Sequence, residues 1–189
     1  MAQTYTVKAE VHFENFEKVI VSEVERAKES IYVHIFKFNS KPIAQALIDA
    51  KKRGVKVMVM TDGKEAQDSR NRAKMLSEAG VLTYVDSEHA TMHNKTMVID
   101  RDRVVTGSFN YTKKADRKNA ENILVLTDSL LRDRYLKNWQ EHRDHSLSYA
   151  DFVKKSVSKW WFLRDIFEIF SLAGRIEKSL EKNAKIACI

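Results

Sequence analysis

Cysteine is almost absent from this chain: Cys188 is the only one in 189 residues. That excludes an internal disulfide framework and suits a reducing compartment. Its penultimate place also excludes a prenylation box, which would need cysteine at position 186. Long apolar runs are missing too. No stretch approaches the roughly eighteen apolar residues of a spanning helix, because charged residues such as Arg164, Asp165 and Glu168 interrupt the most apolar region. The first residues hold no signal-peptide core, since Lys8 and Glu10 break it. The sequence as it stands therefore reads as cytoplasmic, with an exported form whose leader has been removed left open. Acidic residues are in deficit, 26 against 33 Lys and Arg, for a formal charge of +7. The surplus favours a polyanionic partner without choosing between nucleic acid and anionic lipid headgroups.

What remains is the material of an α/β domain. Tyr5 to Phe13 alternates as a first strand, with Val7, Ala9, Val11 and Phe13 on one face. Asn15 is placed to cap a helix running to Lys28. Ser30 to Phe38 reads as a strand in which His34 packs in the core. Ser40, followed by the only proline, Pro42, starts a helix that Gly54 ends. Val55 to Met60 suits a central strand, Ala66 to Ala79 a helix and Val81 to Val85 another strand. This alternation predicts a largely central, mixed β-sheet covered by helices. Leu130 to His145 is expected to be helical, with Leu131, Tyr135, Leu136 and Trp139 inward.

From residue 149 the character changes. Apolar residues recur at helical spacing through Val153, Val157, Trp160 and Phe167, with a second face through Phe162, Ile166 and Ile169. We expect a catalytic domain over 1–148 and a C-terminal amphipathic helical extension over 149–189. That extension packs on the protein or joins two copies, while peripheral membrane contact through 152–173 is the rival reading.

The chemistry gathers between His93 and Asn110. His93 and Lys95 are two apart and share a face if extended. Arg101 and Asp102 read as the turn of a hairpin whose return strand is Val104 to Thr106. Gly107 allows close backbone approach, and Ser108 and Asn110 supply short neutral donors. Asp100 lies an odd number of residues from His93 and is read as structural. Glu121, sharing a face with Asn119, is the better partner to fix the His93 tautomer. Arg101, Arg103, Lys113, Lys114, Arg117 and Lys118 read as a cationic rim, with Phe109 or Tyr111 available to stack a base. No metal set is expected. His89 and His93 are separated by the strand reading of His93, and His142 and His145 lack a third ligand at a matching spacing.

The spacing His-x-Lys-x4-Asp-x6-Gly-Ser-x-Asn, filled by His93, Lys95, Asp100, Gly107, Ser108 and Asn110, resembles the HKD motif of the phospholipase D superfamily. The flanking Gly-Ser-Phe-Asn-Tyr-Thr and Asn-x-Glu-Asn look most like its small, single-motif bacterial endonucleases. The resemblance implies a phospholipase D-like fold and a metal-independent phosphodiesterase with no cofactor. In it His93 is the nucleophile, Lys95, Ser108 and Asn110 stabilise charge, and Glu121 orients the histidine. Enzymes of this family pair two such motifs, and no second His-x-Lys occurs in this chain. The resemblance therefore implies a homodimer acting on nucleic acid. A phospholipid hydrolase or transferase using the same residues is the rival enzyme, and a binding module with a vestigial site the third reading.

Overall fold

A computed structural model describes residue 4 and residues 6–158 of the chain. Its first compact unit runs Met1–Ala150, and a second begins at Asp151. The first unit is built on an eight-stranded mixed sheet. In chain order the strands are β1 (Lys8–His12), β2 (Ser30–Ile35), β3 (Lys56–Asp62), β4 (Leu82–Asp86), β5 (Lys95–Ile99), β6 (Arg103–Gly107), β7 (Ile123–Thr127) and β8 (Leu147–Ser148). Across the sheet they lie β1-β7-β6-β5-β2-β3-β4-β8. Strands β2, β3 and β4 are parallel, and every other pairing is antiparallel.

Helices α1 (Phe16–Arg26) and α2 (Lys41–Lys52) bring Ile20, Val24, Ile43 and Leu47 against Ile31, Val33, Ile35, Met97 and Ile99. Each of these aliphatic side chains is fully buried, and burial of one stabilises by roughly 1.5–3 kcal/mol. On the other face, α5 (Ser129–His145) lays Trp139 over Met58 and Met60, flanked by Tyr32 and Tyr84. The Trp139 indole N–H donates to the Val33 carbonyl at 3.0 Å, so this large side chain is buried with its polar atom satisfied. Ser40 caps α2 as expected, its hydroxyl accepting from the Ile43 N–H.

Three local expectations change. Asn15 does not cap α1 through its side chain; it takes a left-handed backbone at φ 56°, a conformation asparagine tolerates. The helix expected over 66–79 is a single tight turn, Glu65–Gln67, followed by a short α3 (Ala73–Glu78). Asp68 and Asn71 break it by hydrogen-bonding nearby backbone N–H groups, the usual way short polar side chains compete with a helix. Strand β1 is also shorter than expected, and Val11 and Phe13 are exposed rather than inward. Val11 stands on an edge strand that pairs only β7, and Phe13 falls in the bend just after that strand. Residues 149–158 are helical, in line with the start of the expected extension. Trp160, Phe162, Phe167 and the remainder of 159–189, which holds most of the suggested membrane contact, lie outside the described residues.

Asp100 ends β5 at a turn with φ 49°. Its carboxylate accepts from the backbone N–H groups of Lys28, Glu29 and Ser30 and pairs with Arg103. Burial disfavours the ionised carboxylate, but these donors outweigh it and hold its pKa below the ordinary value. Asp100→Ala should destabilise the fold by roughly 2–3 kcal/mol, because it strands these donors and loses a residue tolerant of the turn. A urea melt checks this, and an unchanged midpoint would refute it. The Asp100 contribution is fully present above the unfolded carboxyl pKa and is lost as pH falls through the depressed folded value.

Candidate active site

The end of β2 and the start of β5 are paired, Ile35 opposite Lys95, so residues just beyond them converge. His93 precedes β5 rather than lying within it, and its ring sits 4.6 Å from the Phe36 ring, centre to centre. The Lys95 ammonium is 5.1 Å from the same ring and donates to the His93 carbonyl at 2.6 Å. Phe36 is thus the surface on which imidazole and ammonium meet. Opposite, Ser108 and Asn110 follow β6. Together with Thr96, Thr106, Gly107 and Tyr135 of α5, these residues line an open cleft of about 390 Å³.

Local geometry fixes the far wall. Gly107 has φ +151°, and a Cβ there would overlap the Asn122 carbonyl, so only glycine lets β6 and β7 approach this closely. The Ser108 hydroxyl donates to Glu121 Oε2 and accepts from the Asn122 N–H at 3.0 Å. Asn119 donates to the other Glu121 oxygen at 2.8 Å. Asn110 Oδ1 accepts from the Lys37 N–H at 3.2 Å. Burial lowers the Lys95 pKa, and the Glu121 charge opposes that fall.

The fold therefore brings together His93, Lys95, Ser108 and Asn110, with Glu121 held behind Ser108. Several expectations are corrected. Among the described residues, Glu121 makes no hydrogen bond to His93; its oxygens accept instead from Ser108 and Asn119. Phe109 and Tyr111 are each only 2 % exposed and pack against Phe16 and Phe38, so neither can stack a base. Arg101 and Arg103 are not rim residues. They sit at the far end of the hairpin, about 13 Å of strand from Lys95, in ion pairs with Glu29 and Glu23. Lys113, Lys114, Arg117 and Lys118 lie exposed on α4 (Lys113–Lys118), between Asn110 and Glu121 in the chain.

Sequence reasoning missed Phe36, which supports His93 and Lys95, and Tyr135, which lines the cleft. Both looked like ordinary apolar positions of a strand and a helix, and only the pairing of β2 with β5 and the packing of α5 bring them there. It also missed that Asp86, His89, His142 and His145 place one ligand atom each within 4.8 Å of one another. His34 is buried, as read, with its ring 4.9 Å from that of His142. Burial, then the nearby His142, pushes its pKa down to about 3.

An imidazole and an ammonium at the strand ends of a mixed, helix-covered sheet define the class: an α/β domain with a His–Lys cleft. The chain belongs to the phospholipase D superfamily, since the family model "Cardiolipin synthase, PLD-like domain" matches residues 20–143. Among curated proteins, it is 39% identical over 122 residues to a phospholipase D of Rickettsia bellii, covering 65% of this chain and 61% of that protein. It is 34% identical over 134 residues to a mitochondrial cardiolipin hydrolase of Xenopus tropicalis, covering 69% and 63%. The matches thus span about three fifths of those relatives' own length. Among solved structures, Nuc from Salmonella typhimurium, a phospholipase D family member, superposes with TM-score 0.72 at 30% identity, over 76% of this chain and 99% of that one. NucT from Helicobacter pylori shares the fold at TM-score 0.68 and 20% identity.

Proposed function

We propose that the chain is a metal-independent phosphodiesterase acting on nucleic acid, at a site completed by His93 from each of two copies. The observation that carries this is the content of the cleft. Among the described residues it holds one imidazole, His93, beside one ammonium, Lys95, and no second imidazole lines it. In-line displacement at phosphorus needs a nucleophile on one side and an acid for the leaving oxygen on the other. A two-fold axis supplies the second imidazole.

In the first step one His93 nitrogen bonds to phosphorus as the P–O bond to the leaving group breaks. The other His93, protonated, gives its proton to that oxygen. In the second, the same histidine takes a proton from water, the hydroxide attacks phosphorus, and the N–P bond breaks. Lys95, Ser108 and Asn110 from both copies balance the charge that builds on the equatorial oxygens. Glu121 acts through Ser108, which it holds by a hydrogen bond. The exposed cations of α4 support a long polyanionic substrate, because each neutralised phosphate releases counterions.

A phospholipid substrate is the second reading, favoured by the names of the relatives, phospholipase D and cardiolipin hydrolase. The test offers full-length protein plasmid DNA, single-stranded oligonucleotide, RNA and cardiolipin vesicles in parallel, with rates taken within minutes of adding EDTA. Nucleic acid should be cut in EDTA while vesicles stay intact. Headgroup release without strand cleavage would move the assignment to lipid. Inactivity on every substrate by a verified dimer would overturn the phosphodiesterase reading.

A further inference from the structure

We infer that Asp86, His89, His142 and His145 form a binding site for a divalent transition-metal ion, with Zn²⁺ the best match. The ion fastens the loop before His93 to the end of α5. Asp86 is the last residue of β4 and is fully buried. His89 follows in the loop, and His142 and His145 occupy the last turn of α5, three apart and so on one face. Trp139, one turn earlier, anchors that end of the helix to β2. Nothing in the spacing of these residues along the chain announces the cluster.

Three imidazole nitrogens converge on one oxygen. Asp86 Oδ2 is 2.9 Å from His89 Nδ1, 2.9 Å from His142 Nδ1 and 3.4 Å from His145 Nε2. Tetrahedral Zn²⁺ with bonds of about 2.0–2.1 Å holds its ligand atoms roughly 3.3–3.4 Å apart, so the four atoms, which all lie within 4.8 Å of one another, would draw in by up to about 1.5 Å to close on an ion. Ring positions agree. The three rings lie 4.7, 5.2 and 5.3 Å apart, centre to centre, against roughly 5 Å for imidazoles around one tetrahedral ion.

Hydrogen bonding alone satisfies this cluster poorly. Asp86 Oδ1 already accepts from the backbone N–H groups of Glu88 and His89, at 3.1 and 3.3 Å. A carboxylate offers about four acceptor positions, two on each oxygen, so three ring N–H groups overfill Oδ2. A cation at the common centre removes the conflict, because each ring then presents a lone pair instead of a proton. The two backbone bonds on Oδ1 become the outer-shell contacts that orient a ligating carboxylate. Three imidazoles and one carboxylate select Zn²⁺ and its first-row neighbours over Mg²⁺ or Ca²⁺. With all four positions filled by protein, the site is structural. None of the four residues lines the His93 cleft. His89 and His145 keep 47% and 34% of their side chains exposed, which gives an ion a way in.

The test uses untagged full-length protein, stripped with chelator and dialysed, then titrated with Zn²⁺ or Mg²⁺. Native mass spectrometry should show one Zn²⁺ per chain. Saturating Zn²⁺ should raise Tm by roughly 8 °C or more, and Mg²⁺ should not. Co²⁺ should give the intense visible absorption of a tetrahedral site. His142→Ala with His145→Ala should abolish all three signals. The milder His145→Gln, whose folding circular dichroism would verify, should weaken Zn²⁺ binding at least about tenfold. No bound Zn²⁺ and no Tm rise in the wild-type chain, or the same binding by a folded His145→Gln chain, would overturn the site.

Discussion

Chains carrying His93→Ala should lose turnover on every phosphodiester they otherwise cleave, by roughly 10⁴-fold or more, with thermal stability within about 1 °C of wild type. The chemical loss is large because no neighbouring group replaces a nucleophile on phosphorus. Stability is spared because His93 is exposed and, among the described residues, its one ring contact is with Phe36. Lys95→Ala should lower the rate by roughly 10²–10³-fold, the range for one preorganised charge. Among the described residues its ammonium meets the His93 carbonyl and the Phe36 ring, both local contacts, so folding should again be unaffected. Initial rates in EDTA beside thermal melts decide the matter. Normal turnover by either mutant would remove that residue from the chemistry.

Mixing wild-type and His93→Asn chains should leave far less activity than dilution alone explains. When equal amounts are unfolded together and refolded, random pairing gives about one quarter of dimers with both imidazoles. Steady turnover should therefore fall to about a quarter of an all-wild-type sample. Independent sites would retain about half. Mixed dimers that complete only the first step would contribute a burst of product and a trapped phosphohistidine, which steady-state rates exclude. Activity near one half, or full activity in a demonstrably monomeric sample, would end the shared-site reading.

The sheet was largely legible because its strands carry their own signals. Val57 to Met60 and Met97 to Ile99 are short apolar runs bounded by polar turns, and they became β3 and β5. Ser40 announced α2 through the capping chemistry that it performs. Legibility failed where neighbours decide. Val11 and Phe13 alternate like buried residues, yet β1 is an edge strand. Burial there depends on what covers the strand, which alternation alone does not encode.

The cleft divides the same way. His93, Lys95, Ser108 and Asn110 stand at fixed spacings around one hairpin, so local geometry delivers them together. Arg103 is close to them in sequence and far in space, because a hairpin carries its turn away from its open end. Phe109 and Tyr111 look available for stacking beside a basic segment, but their rings fill the core beneath α1. Glu121 was expected to meet His93, but it lies behind Ser108. The Ser108 hydroxyl reaches it first, through the pairing of Gly107 with Ile123. The imidazole cluster was the least legible feature, since its members come from β4, a loop and a helix 56 residues apart at Asp86 and His142.

The pairing of β1 with β7 sets a delay in the birth of the molecule. Lys8 lies opposite Thr127, so the two partners are separated by 127 − 8 = 119 residues. A ribosome adding about 5–20 residues per second needs roughly 6–24 s to supply that stretch. Throughout that interval β1 has no partner, although exposed Val11 and the neighbouring Phe13 leave an apolar edge open to another chain. Glu10 and Glu14 beside them put negative charge on this edge, and charge flanking an apolar strand disfavours the addition of a strand from another chain.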